Sequence, residues 1–214
     1  FEGRYSYRPF FISIGIFMTL TPAQFSEFIT ELDKLKAVKR QITLPLDNDR
    51  QENSAEHSWH VALMATTLAP FAAQPIDISR IVRMILIHDV VEIDAGDLFA
   101  FQEAAEHEAQ AEKELAAAKR IFGLLPAPLN QELLALWLEF EEAETPDAEF
   151  AKAMDRVLPV FQNMQNQGGS WKKHGVTREK IAQRNKHLVT CAPSLWDYVN
   201  TQLDNAVKKG WLLP

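Results

Sequence analysis

The chain is poor in several things at once. It has a single cysteine, eight glycines and no apolar run of the roughly 20 residues that a membrane-spanning helix needs. One thiol excludes an internal disulfide framework and suits a reducing compartment, so a cytoplasmic setting is expected. That thiol, Cys191, sits in LVTCAPS between apolar helical patterns and without the His-Asn context of a thiol hydrolase, so it reads as a packed side chain. There is no Gly-rich phosphate loop, no Walker motif, no internal repeat and no alternation of strand type. Positive charge is also short. With 22 Lys and Arg against 29 Asp and Glu, the net charge is −7. That balance argues against partners such as a nucleic acid polymer or a membrane surface. It leaves room for a local basic pocket that takes a small phosphate ester.

What is present is ordinary globular material: 214 residues, 47% hydrophobic and 24% charged, enough for one domain with a sizeable core. Residues 1–17 stand apart. Arg4 and Arg8 precede an apolar run, with no small-residue cleavage site after it, and Met18 opens a natural-looking start. We therefore expect a non-native or upstream leader over 1–17 and a single helical domain over 18–214. Thr21-Pro22 opens an amphipathic helix through Phe25, Phe28, Ile29, Leu32 and Leu35. A loop holding Lys39, Arg40 and Arg50 is expected over 38–53. Helices are expected from Asn53 or Ser54 to about Phe71, over 102–122, 125–142 and 178–189, from Pro146 onward, and over 194–207. Residues 170–177 read as a loop, Pro159 as a kink, and His107 as a surface residue among carboxylates.

The chain is organised around IVRMILIHDVVEIDAGD, residues 81–97. Ile78, Ile81, Val82, Ile85 and Leu86 recur at helical spacing, while Met84, Ile87, Val90 and Val91 fill the other faces. A helix apolar nearly all round belongs inside a core. Asp77 caps it, and Gly96 is expected to end it near Ala95, leaving Asp97 beside the site. Into this helix the sequence sets His88, Asp89 and Glu92, three ionisable groups able to serve one side. An ionised carboxylate there is very costly unless paired or bound to a metal. A hydrogen-bonded His-Asp pair without a metal is the rival reading.

Two further positions repeat the anomaly. Asp155 falls among the apolar Phe150, Met154, Val157, Leu158 and Phe161, where a pairing with Lys152 or Arg156 is the bland alternative. In EHSWH, His57 is preferred as a ligand and His60 as a core or supporting residue. The motif lacks the zinc-protease spacing, since its histidines are three apart and its glutamate comes first. His57, His88, Asp89 and Asp155 thus offer two imidazoles and two carboxylates from three helices. That set suits one divalent ion, such as Mn, Co, Fe, Ni, Zn or Mg. Structural zinc would prefer thiolates. No second ligand cluster is evident for a two-iron oxygenase.

The order H…HD…D resembles the HD superfamily of metal-dependent phosphohydrolases. ENSAEHSWHVALMA and HDVVEIDAGD are similar to the corresponding segments of the 5′-deoxynucleotidases of that superfamily, and KAMDRVLPVF carries the distal aspartate. The resemblance spans about residues 25–189. It implies an all-α HD-domain helical bundle with a central metal site, and hydrolysis of deoxynucleoside 5′-monophosphates. It matches His57, His88, Asp89 and Asp155 to metal ligands, Glu92 and Asp97 to catalytic carboxylates, and Arg40 to substrate phosphate binding. The implied partner is a nucleotide, and an apolar bundle is compatible with a homodimer. A hydrolase of another ester, such as an alarmone or cyclic nucleotide, shares this fold-level case. So does a non-catalytic module stapled by a metal, although a staple needs neither Glu92 nor Asp97.

Overall fold

Helices carry nearly all of the regular structure in the computed structural model, which describes residues 20–214; the expected leader, 1–17, and Met18 lie outside the described residues. The elements run α1 (Ala23–Leu32), β1 (Lys39–Leu44), β2 (Arg50–Asn53), α2 (Ser54–Leu68), α3 (Ile78–His88), α4 (Glu92–Ala95) and α5 (Ala104–Phe122). They continue with α6 (Leu129–Glu142), α7 (Pro146–Gln165), α8 (Gly169–His174), α9 (Arg178–Arg184), α10 (Leu188–Cys191) and α11 (Pro193–Lys208). No described helix is long and apolar enough to cross a membrane.

Helix α3 lies at the centre, packed on α2, α6 and α7. Its Ile81, Met84 and Ile85 are fully buried, each worth about 1.5–3 kcal/mol of transfer free energy. The expectation of a helix apolar all round is corrected here: Leu86 is 48% exposed and Arg80 and Arg83 face solvent. α3 is one-sided, and His88 lies on its buried side. A second, smaller cluster joins Leu35, Val90, Val91, Ile121, Phe122 and Trp137, and Ile87 packs against both clusters. α1 is peripheral. Phe28 and Leu32 are half-buried against the second cluster, but Ile29 is 64% exposed, whereas Glu31 is buried and pairs with Arg120 at 2.6 Å.

Starts and stops follow local chemistry. Asp77 accepts the Ser79 and Arg80 amides at 2.9 and 3.2 Å, which opens α3 as expected. Asn53 and Glu56 form a reciprocal capping box at the start of α2. α6 begins four residues later than expected, beyond Pro126 and Pro128. α7 runs on through Pro159 to Gln165.

Three further expectations fail. Residues 38–53 are not a loop: β1 and β2 form an antiparallel hairpin pairing Lys39 with Asn53 and Leu44 with Arg50, with an irregularity between Lys39 and Thr43. Its turn uses Asn48 and Asp49 at φ 52° and 55°, residue types that tolerate the left-handed region. Only Ile42 and Glu52 are buried in the hairpin, so its sequence carries almost no alternating apolar signal. Residues 170–177 contain the short helix α8, whose Trp171 is buried. The expected helix over 178–189 breaks after Arg184 and resumes as α10.

Candidate metal centre and active site

The stretch 81–97 is not one continuous helix. α3 stops at His88, residues Asp89–Val91 tighten into a 3₁₀ turn, and α4 follows. In a 3₁₀ turn, residues three apart eclipse, which stacks Asp89 and Glu92 on one side. The Trp137 indole N–H donates to the His88 carbonyl at 3.1 Å and holds that corner. Gly96, at φ 73°, then turns the chain so that Asp97 returns to the site.

His57, from α2, and His88 are turned the same way. The Nδ1–H of His57 donates to Glu52 Oε2 at 3.1 Å, and that of His88 to the Ile85 carbonyl at 2.6 Å. A carboxylate and a carbonyl only accept, so both Nδ1 atoms carry a proton and both Nε2 atoms point into the site, where each can take either a proton or a cation. His57 Nε2 lies 3.0 Å from Asp155 Oδ1, and His88 Nε2 lies 3.6 Å from that atom. The ligand atoms of His57, His88 and Asp155 all fall within 4.8 Å of one another. Asp89 stands at the edge of this group, with Oδ1 3.0 Å from His88 Nε2 and Oδ2 accepting from Arg40 Nη1 at 2.7 Å.

This arrangement fits a cation. Atoms about 2.0–2.2 Å from one ion stand roughly 3–3.5 Å apart, and Asp155 Oδ1 stands 3.0 and 3.6 Å from the two imidazole nitrogens. Acceptor atoms brought this near repel unless a proton or metal lies between them. The buried His88 Nε2 has no hydrogen-bond partner at all. Burial opposes charge on His88, but Asp89 and Asp155 overcome it and hold the imidazole well above its ordinary pKa. Burial likewise opposes charge on Asp155, and His57 and His88 hold it well below the usual carboxylate range. The cluster calls for positive charge, and a divalent ion meets that demand better than shared protons.

Around it sit the remaining predicted residues. Arg40, from β1, points Nη1 at Asp89, with Glu92 at 3.7 Å and Asp97 at 3.8 Å. Burial and then the Asp89 charge push Glu92 well above its ordinary pKa; the buried Ser54 hydroxyl donates to Glu92 Oε2 at 2.5 Å. Asp97 is raised by burial too, against the pull of Arg40. Arg40, His88, Asp89, Glu92, Asp97 and Asp155 line a cavity of about 320 Å³, together with Phe99, Phe101, Glu114, Lys152, Arg156, Trp171 and Arg184; His57 lies behind this lining.

Other positions fall differently. His60 is exposed rather than core or supporting, because the buried face of α2 passes through His57, Ser58, Val61 and Ala65. His107 is exposed, as expected, at the cavity rim. Arg50 is taken by Glu56 through paired contacts at 2.6 and 2.9 Å. Asp155 pairs with neither Lys152, which contacts Glu141 at 2.8 Å, nor Arg156. Sequence reasoning missed Glu52 and Ser54. Glu52 is 2% exposed and also accepts from Gln162 at 2.6 Å. The one available signal was an acid five residues before His57, and the expected loop hid it.

The fold and site define a helical protein with an internal cluster able to hold a cation. Residues 32–196 match the HD domain family, and the chain belongs to it. Human 5′-deoxynucleotidase HDDC2 is 29% identical over 136 residues, covering 64% of this chain and 65% of that protein, just under two thirds of its length. 5′-Deoxynucleotidase PM0747 of Pasteurella multocida is 30% identical over 139 residues, 62% of this chain and 70% of that one. A solved structure from Magnetospirillum magnetotacticum, described as a predicted metal-dependent phosphohydrolase, is 46% identical. It covers 90% of this chain and 98% of its own, with a TM-score of 0.82.

Proposed function

We propose that this protein is a metal-dependent phosphohydrolase that cleaves deoxynucleoside 5′-monophosphates to deoxynucleoside and phosphate. One observation carries the reading. His57, His88 and Asp155, far apart in sequence, converge at a cavity that also presents Glu92, Asp97 and Arg40. The relatives named 5′-deoxynucleotidases support the substrate class. In this reading His57, His88, Asp89 and Asp155 hold one divalent ion, from among Mn, Co, Fe, Ni, Zn and Mg. When bound, such an ion polarises a phosphoryl oxygen and makes water a better nucleophile near neutral pH.

The chain's own groups do the rest. Glu92 Oε2 is fixed by the Ser54 hydroxyl, and Oε1, 3.7 Å from Arg40 Nη1, is the oxygen left to hold or move a proton. A carboxyl raised by burial holds its proton more tightly than a free one, which suits it to take and return a proton during the reaction. Asp97 is a second carboxylate beside it, placed for acid–base work or for a sugar hydroxyl. Arg40 offsets phosphate charge, its guanidinium oriented by Asp89. A staple without chemistry would not need two raised carboxyls facing the same cavity.

A cytoplasmic setting and a homodimer belong to this reading as well. Exposed Trp59 and Leu63, one turn apart on α2, support the homodimer. The substrate test is phosphate release from dAMP, AMP and a deoxynucleoside 3′-monophosphate by protein stripped of metal and reloaded with each ion. Cleavage of dAMP well above the other two is expected. Equal rates on all three leave a phosphohydrolase but sink the deoxynucleotidase assignment.

A further inference from the structure

The cations lining the cavity are not equivalent. Arg40 is matched by Asp89, with Glu92 and Asp97 close by, and Lys152 is matched by Glu141. Arg156 and Arg184 have no carboxylate within 4.0 Å among the described residues, although both are partly buried. Each guanidinium carries five N–H donors. The pair's one hydrogen bond to a described residue runs from Arg156 Nη1 to the Arg184 backbone carbonyl at 3.3 Å, and the Arg184 guanidinium donates none.

Local explanations fail for both. Arg184 is the last residue of α9, where a cation could satisfy the closing carbonyls, yet it bonds to none of them. Arg156 has Lys152 and Val160 four residues away and Ala153 and Pro159 three away, so it has no acid in helical register. Both side chains line the cavity that holds Asp155. They also line an adjoining cavity with Phe101, Lys180 and Gln183, and with Glu103 and Glu179, neither of which comes within 4.0 Å of either guanidinium, so the two arginines stand in the wall between the two cavities. Burial holds Arg184 below its ordinary pKa; Asp155 opposes this, while Arg156 and Arg40 add to it. Two neighbouring cations without a carboxylate repel each other, and an anion between them relieves that cost.

The charge balance of the reaction points the same way. A divalent ion and Arg40 are largely matched by Asp89, Asp155 and the Glu92–Asp97 pair. An incoming phosphate dianion needs further positive charge. Arg156 directly follows Asp155 in α7, which brings that charge next to the cluster.

We infer that Arg156 and Arg184 form an anion subsite that takes the phosphate oxygens of the substrate turned away from the His57–His88–Asp155 cluster. The nature of the ligand rests on the phosphohydrolase reading; the subsite itself rests on the two unpaired guanidiniums. Calorimetric titration of the full chain with inorganic phosphate, metal-loaded and chelator-stripped, tests it without relying on turnover. Arg156→Gln and Arg184→Gln should each raise the phosphate Kd about ten- to a hundredfold. Arg184→Lys should lose less, and Arg83→Gln, on the outer face of α3, should change nothing. On a deoxynucleoside monophosphate, the two Gln variants should raise KM far more than they lower kcat. Should Arg184→Gln not fold, Arg156→Gln and Arg184→Lys decide the matter. Phosphate affinity in folded Arg156→Gln and Arg184→Lys no weaker than in Arg83→Gln overturns the subsite. Arginine-dependent phosphate binding without phosphate release from any deoxynucleotide overturns the substrate assignment and keeps the subsite.

Discussion

Glu52 Oε2 accepts the Nδ1–H of His57 at 3.1 Å and so aims His57 Nε2 at Asp155. Glu52 comes from β2 and His57 from α2, joined by the capping box at Asn53. The hairpin is therefore part of the site's frame: one strand supplies Arg40 and the other supplies the acid that orients a histidine.

That relationship has a measurable consequence. A carboxylate behind a metal-binding imidazole fixes its tautomer and raises its basicity, and losing it typically costs 10- to 100-fold in metal affinity. Glu52→Gln should weaken binding of Mn, Co or Zn by about that factor while keeping one site per chain. Asp155→Ala should lose the ion outright, and with it the metal-dependent rise in melting temperature. Titration with a competing chelator reads both. Unchanged affinity in Glu52→Gln would remove its orienting role.

Glu92 separates chemistry from stapling. It lies outside the compact His57–His88–Asp155 group, and its Oε2 is already occupied by Ser54. Glu92→Ala should keep the metal and the fold but lose about 10² to 10⁴ in kcat, the usual worth of a positioned acid or base. Asp97→Ala should behave similarly, with an added change in KM. Metal content, melting temperature and kcat on the same samples check this. Full turnover in Glu92→Ala would falsify the assignment, and loss of metal in that variant would make Glu92 a ligand.

Glu114, on α5 at the cavity wall, gives a pH dependence. Burial, and next the charge of Glu141, push its carboxyl from 4.5 up to about 7, against Gln110 and Lys152. The folded state thus holds the proton more tightly than the unfolded state. Below pH 4.5 both states are protonated and nothing is lost. As pH rises from there to about 7, the unfolded chain releases the proton first, so stability falls. Glu114→Gln should match the wild-type melting temperature near pH 4.5 and exceed it above pH 7, measured by thermal melts across that range. A constant difference at every pH would show that Glu114 does not titrate there.

The sequence by itself determined the helical class, the central position of residues 81–97 and the oddity of His88, Asp89, Glu92 and Asp155 as ionisable groups set among apolar neighbours. It could do so because each signal is local. Helical periodicity repeats within a few residues, and a charged group among apolar neighbours is conspicuous wherever the chain folds. Only the tertiary structure decided which of two nearby histidines faces inward, since His57 and His60 differ by how α2 docks and not by their letters. Only it showed the hairpin, whose strands are mostly polar because one side meets solvent and the other meets a polar site. Glu52 behind His57, Ser54 on Glu92 and the unpaired Arg156 and Arg184 belong to the same category. Hydrogen-bond partners and unmet charges are set by distances across the fold, and residues as far apart as Glu52 and Gln162 come within reach only once α7 is packed against the hairpin.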